Sequence, residues 1–144
     1  MEKGPIAVAS DHAGYEMKDA IKVELQARGY QVLDLGTDGA ASVDYPDFGA
    51  KMGEAIESGK ANRGVLVCGS GIGISIAANR KKAVRAALVQ TGLAAKLARQ
   101  HNDANVIALG ARLIGFDTAI DCVDNFLNTD FEGGRHQRRV DKMS

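Results

Sequence analysis

The chain has 144 residues, enough for one domain with a proper core, and its 45% hydrophobic and 25% charged content excludes global disorder. Lys plus Arg and Asp plus Glu both number 18, so the formal charge is zero, which argues against nucleic acid or an anionic membrane as the main partner. Cys68 and Cys122 form no C-x-x-C pair, the start Met1 to Pro5 is polar, and no apolar stretch approaches the length of a membrane helix. The expectation is a cytoplasmic protein of a reducing compartment without disulfides.

Pro5 to Ser10 is a short apolar run that predicts a strand, broken by Asp11-His12-Ala13-Gly14. Tyr15 to Arg28 predicts a helix, with Met17, Ile21 and Leu25 along one face and Gly29 as its C-cap. Tyr30 to Leu35 predicts a second strand, followed by a loop to Pro46, which opens a helix running to about Ser58. Gly64 to Cys68 is apolar throughout, as a strand covered on both faces should be. Gly69-Ser70-Gly71-Ile72-Gly73 follows at once, then a small-residue helix, Ile74 to Asn79. Val84 to Val89 and Asn105 to Leu109 predict the last two strands, Leu93 to His101 and Phe116 to Leu127 two more helices. The basic tail from Phe131 to Ser144 is expected to be partly helical.

Strands alternating with helices predict a parallel five-stranded sheet with helices on both faces, a three-layer α/β sandwich in a single domain, 1–144. Ligands in such folds bind beyond the carboxyl ends of strands. Three polar groups fall there: Asp11-His12, Cys68 to Gly73, and Arg112.

Cys68 to Gly73 is the most informative stretch. Alternate glycines let a backbone approach a ligand closely, and several N–H groups then converge on one point, with the Cys68 thiol at its mouth. A dinucleotide fingerprint would need Gly or Ala at position 74, and a cysteine phosphatase loop would need Arg there; Ile74 excludes both. An oxyanion hole beside a cysteine base fits the residues; the plain alternative is a buried structural thiol over a tight turn. His101 near a helix C-terminus is equally compatible with dipole stabilisation alone. Arg135 and Arg139 lie at i, i+4, so a helical tail would present both guanidiniums on one face as a phosphate clamp, against the plain reading of a solvated tail. The glycines before them would let the tail close over the site. His12, His101 and His136 are scattered and show no metal-ligand spacing, so no metal is expected.

Together SDHAG at 10–14, DYPDF at 44–48, CGSGIGISIAANR at 68–80, RQHNDANVIALGAR at 99–112 and GGRHQRRV at 133–140 resemble the type B ribose-5-phosphate isomerase family, which includes galactose- and allose-6-phosphate isomerases. The resemblance implies a flavodoxin- or Rossmann-like sheet, no cofactor, a small phosphorylated sugar as substrate, and a homodimer with shared active sites whose dimers can pair into tetramers. It implies Cys68 as the base moving a proton between C1 and C2, with Ser70, at a position where relatives usually carry Thr, shuttling protons among sugar oxygens. Gly69, Gly71, Ile72 and Gly73 would form the anion hole. His101 would open the sugar ring with help from Asp11, and Asn102 would contact the enediolate. His12, Arg112, Arg135 and Arg139 would bind phosphate, and Tyr45 would line the pocket. The segment carrying His101, Asn102 and Arg112 would face the Cys68 loop of the other subunit. A reading of another class, a non-catalytic flavodoxin-like module that binds a phosphosugar or nucleotide, has no use for the Cys68 thiol.

Overall fold

A computed structural model describes residues 4–144. In chain order the elements are β1 (Ile6–Ser10), α1 (Tyr15–Ala27), β2 (Val32–Asp34), α2 (Tyr45–Glu57), β3 (Arg63–Cys68), α3 (Ile72–Ala78), β4 (Ala86–Leu88), α4 (Gly92–Asn102), β5 (Val106–Gly110), α5 (Phe116–Asn128) and α6 (Arg135–Met143). All strand pairs are parallel and the sheet order is β2-β1-β3-β5-β4. The expected five-stranded three-layer sandwich is thus present. Relative to the flavodoxin order the last two strands exchange places, so β5 lies between β3 and the edge strand β4.

Strand burial follows from position. β1 and β5 are buried along their whole length, and β3 from Gly64 onward. Their alternating side chains feed two cores. Val8, Val65, Val67, Ile107 and Leu109 face α1, α4 and α5, where Ile21, Leu25, Ala95, Cys122 and Phe126 complete one cluster. Ala7, Ala9, Leu66, Cys68 and Ala108 face α2 and α3, against Phe48, Met52, Ile74 and Ala78. This second face is lined by small residues, so its helices lie close to the sheet.

Several boundaries differ from expectation. β2 and β4 are shorter than the apolar runs that carry them, because both sit at sheet edges and pair on one side only. α3 begins at Ile72, inside the glycine run. α4 starts one residue earlier than the apolar pattern because the Thr91 hydroxyl caps it, accepting from the Ala94 N–H at 3.0 Å.

The connectivity sets the place of the site. After β1 the chain moves to the β2 edge, and after β3 it moves to the opposite edge. The connections therefore diverge beyond the carboxyl ends of β1 and β3, where an α/β sheet opens a crevice.

Candidate active site

Cys68 is the last residue of β3, the central strand, and is 4% exposed. Its neighbours in register are Gly110 at the end of β5 and, through Val67, Ser10 at the end of β1. A turn of Gly69, Ser70 and Gly71 leads straight into α3. Gly71 has φ 78°, a left-handed conformation that disfavours any side chain, and it aims its N–H back at the Cys68 Sγ, 3.1 Å away. The Ile72 N–H donates to the Ser70 Oγ at 3.2 Å. Two amides of the expected anion hole therefore engage side chains of the turn itself, one the Cys68 sulfur and the other the Ser70 hydroxyl.

The cleft has a volume of about 580 Å3 and is lined by Asp11, His12, Tyr45, the 68–73 turn and Arg112, with Ala13, Ile76 and Leu113 at its margins. Arg112 is locked to the turn: its N–H donates to the Gly69 carbonyl at 3.0 Å and its side chain lies across Gly69. A methyl group at position 73 would overlap the Tyr45 ring, so Gly73 admits that ring to the cleft wall. The glycine run thus makes room for Tyr45 and Arg112, not only for a ligand.

Asp11 is buried and accepts the Gly14 N–H at 3.0 Å, which fixes the entry to α1. His12 accepts the Val43 N–H at its Nδ1, 3.1 Å away, leaving Nε2 as the ring's donor. The 36–44 loop thereby sets the imidazole orientation. Ser10 Oγ is buried beside this group, without a hydrogen-bond partner among the described residues.

The remaining expected site residues lie elsewhere. His101 and Asn102 end α4, which runs back toward the amino edge of the sheet, and Arg135 and Arg139 lie on α6, packed against α4. The five residues of β5 alone separate the two ends by roughly 16 Å, at about 3.3 Å per residue. Arg112 therefore does not travel with His101 and Asn102, as the sequence grouping had it: it follows β5, they precede it, and Arg112 sits in its own chain's Cys68 cleft. The basic tail does not close over that cleft either. It forms α6 at the far end, where His136 stacks on His101 and Met143 shares a groove with Asn102.

The end of α4 is rigidly held. Asp103 caps it in a left-handed conformation, φ 47°, uncommon for a residue with a side chain. Arg99 donates to the Asp103 carboxylate at 2.8 Å, to the Ala104 carbonyl at 2.7 Å and to the Thr129 carbonyl at 3.0 Å. Arg85 grips Asp103 from the β4 side. Nearby, burial lowers the pKa of Arg63 to about 10, with the Arg99 charge adding to the effect.

Ala13, Ile76 and Leu113 were not anticipated as lining. Ile76 follows Ile72 by one helical turn, and Leu113 follows Arg112; both signals were in the sequence.

A family model for ribose/galactose isomerases matches residues 6–143. The chain belongs to that family. It is 42% identical over 139 residues to ribose-5-phosphate isomerase B of Escherichia coli, covering 96% of this chain and 93% of that one. Among solved structures, ribose-5-phosphate isomerase B of Clostridium thermocellum superposes with TM-score 0.95 at 51% identity, over 96% of this chain and 94% of the other. The Mycoplasma genitalium enzyme, solved with bound ribulose-5-phosphate, gives TM-score 0.92 at 42% identity, over 99% and 95%. The family's reaction class, aldose–ketose isomerisation of a phosphorylated sugar, goes with membership.

Proposed function

We propose that the chain converts ribose 5-phosphate to ribulose 5-phosphate through an enediolate, with Cys68 as the base, in a homodimer whose two sites are each built from both chains. The observation that carries the reading is the Cys68 Sγ under the Gly71 N–H, at the floor of a cleft that also holds Arg112 and His12.

Ribose 5-phosphate arrives mostly as a closed ring and must open before a carbonyl exists. Once it is open, the C2 hydrogen is acidic only if the resulting enediolate is stabilised. On this reading N–H groups of the 69–73 turn beyond those that engage its own side chains meet that oxygen charge, and one such donor is typically worth roughly 10²–10³ in rate. Cys68, as thiolate, takes the C2 proton and returns it to C1; positioned bases contribute roughly 10²–10⁴. Ser70 moves the proton between the O1 and O2 oxygens. The phosphate takes no part in bond making; held by cationic groups, it fixes the carbons against sulfur.

Two features support a second copy at the cleft. His101, Asn102, Arg135 and Arg139 stand at the opposite end of their own chain, out of reach of its Cys68. The cleft is also rimmed by Ile72, Ile76 and Leu113, 49%, 55% and 55% exposed, apolar surface beside a polar site that a partner would cover.

The test is ketose formation from a panel of aldose phosphates, including allose and galactose 6-phosphates, with wild type and Cys68→Ala. Ribose 5-phosphate should be the best substrate. Cys68→Ala should lose turnover by roughly 10³ while still binding phosphosugar. Turnover within tenfold of wild type removes Cys68 as the base. A wild-type chain that binds every sugar and turns over none is a binding module.

A further inference from the structure

The sequence scatters its three histidines, but the fold brings two together. His101 and His136 stack with ring centroids 4.5 Å apart and planes 13° from parallel. Glu132 completes the group, its Oε1 3.4 Å from His136 Nε2. One ligand atom from each of the three lies within 4.8 Å of the others. The arrangement is built rather than incidental. The Glu132 N–H donates to the Gln100 carbonyl at 3.1 Å, pinning Glu132 to the end of α4 beside His101. Gly133 and Gly134, at φ 68° and 56°, then turn the chain so that the His136 side chain comes back against Glu132.

We propose that His101, His136 and Glu132 form a site for one divalent transition-metal ion per chain, of the Zn2+ type, and that its occupancy stops isomerisation by engaging His101. The second half rests on the role given to His101 above; the first does not. Two imidazole nitrogens and one carboxylate oxygen are the donor set of three-ligand zinc sites, in which water takes the fourth position. Imidazole selects against Mg2+ and Ca2+, which take oxygen ligands.

Tetrahedral coordination with bonds of about 2.1 Å places ligand atoms roughly 3.4 Å apart, so the group needs to contract by at most about 1.4 Å, and the His136–Glu132 pair, at 3.4 Å, already has that spacing. His136 is only 8% exposed and is the fixed ligand. The Glu132 side chain is 50% exposed and the His101 ring half-buried, so the adjustment falls to these two ligands. The Arg135 and Arg139 charges on the same helix oppose a dication and hold the affinity below that of a dedicated zinc site; the Glu132 carboxylate offsets part of that repulsion.

The experiment titrates metal-free protein with Co2+ and Zn2+, reading cobalt absorption, heat of binding and turnover of ribose 5-phosphate. The expected result is one ion per chain, with Zn2+ displacing Co2+ and inhibiting reversibly, activity returning with chelator. Glu132→Gln and His136→Gln should each weaken binding at least about tenfold, the low end of what even outer-shell partners of a metal cost, while metal-free turnover stays near wild type. Cys68→Ala should bind Co2+ as before, and no sulfur-to-cobalt charge-transfer band should appear in any variant. Binding unchanged by both Gln substitutions, or lost in Cys68→Ala, overturns the site. Glu132 is exposed, so its variant remains informative if His136→Gln fails to fold. Binding at this site without inhibition overturns the second half. Turnover of the metal-free wild type tests the isomerase reading separately from any of these results.

Discussion

The two cysteines show how placement decides chemistry. Cys122 points from α5 into the core and is fully buried, and burial, with the Asp121 charge beside it, pushes its thiol up to about 11. It stays a neutral apolar group. Cys68 has its sulfur under an amide donor at the floor of an open cleft. The proposed division of labour between Cys68 at carbon and His101 at the ring oxygen can be separated, because ribulose 5-phosphate, with O5 blocked by phosphate, cannot close a furanose ring. In heavy water His101→Asn should still incorporate deuterium at C1 of ribulose 5-phosphate, followed by NMR, while its conversion of cyclic ribose 5-phosphate falls steeply. Equal loss of both would place His101 in the proton-transfer step. Cys68, Gly71 and Arg112 were legible in the sequence because strand ends and glycine runs mark the carboxyl edge of a parallel sheet. The His101–His136 stack was not, since 34 residues lie between the two and no local spacing encodes their meeting.

Elements carry a second set of constraints, of which the junction of α1, β2 and the 36–44 loop is the clearest. Met17, Ile21 and Leu25 of α1 all pack on the core as their spacing predicts, but the side chains buried completely are Lys18, Ile21 and Leu25. Lys18 is 1% exposed because its Nζ reaches through the stripe to Asp34, at 2.9 and 3.1 Å, and to the Thr37 carbonyl at 2.7 Å. A charge inside an apolar face violates the pattern that sequence reading relies on, and only the partner across the sheet explains it. Burial works against the Asp34 carboxylate, yet the Gly36 N–H, Lys18 and Lys22 outweigh it and hold its pKa below the ordinary value. A depressed carboxylate contributes stability that is present above its unfolded pKa and lost as pH falls through the folded one. Asp34→Asn should therefore destabilise by about 2 kcal/mol at pH 7, the cost of stripping a charged partner from a buried ammonium. Urea unfolding should show that deficit shrinking as the pH falls through and below the ordinary carboxylate range; a constant deficit would mean the effect is packing alone. The same loop presents the Val43 N–H to His12, so this pair also steadies one wall of the cleft.

At the scale of the molecule, the chain places the Cys68 cleft at the carboxyl edge of the sheet and the His101, Asn102 and α6 group at the other end. Single-domain α/β architecture and parallel strands were legible from alternation alone. The exchange of β4 and β5 was not, because pairing partners leave no mark in a strand only three residues long. That exchange matters: with β5 beside β3, Arg112 arrives next to Cys68 in the same chain. On the proposed dimer, mixing inactive Cys68→Ala with inactive His101→Asn should restore activity, since the mixed dimer has one site with both residues intact. Confirmed subunit exchange without recovered turnover would refute the shared geometry. The separation of the two ends has a further consequence. On the proposed dimer, a chain whose reactive halves face away from each other would do nothing alone, so at low abundance the protein would be silent, and its output per chain would climb as synthesis raised the copy number past the point where pairs form. Expression level would then set not only how much catalyst a cell holds but what fraction of it works.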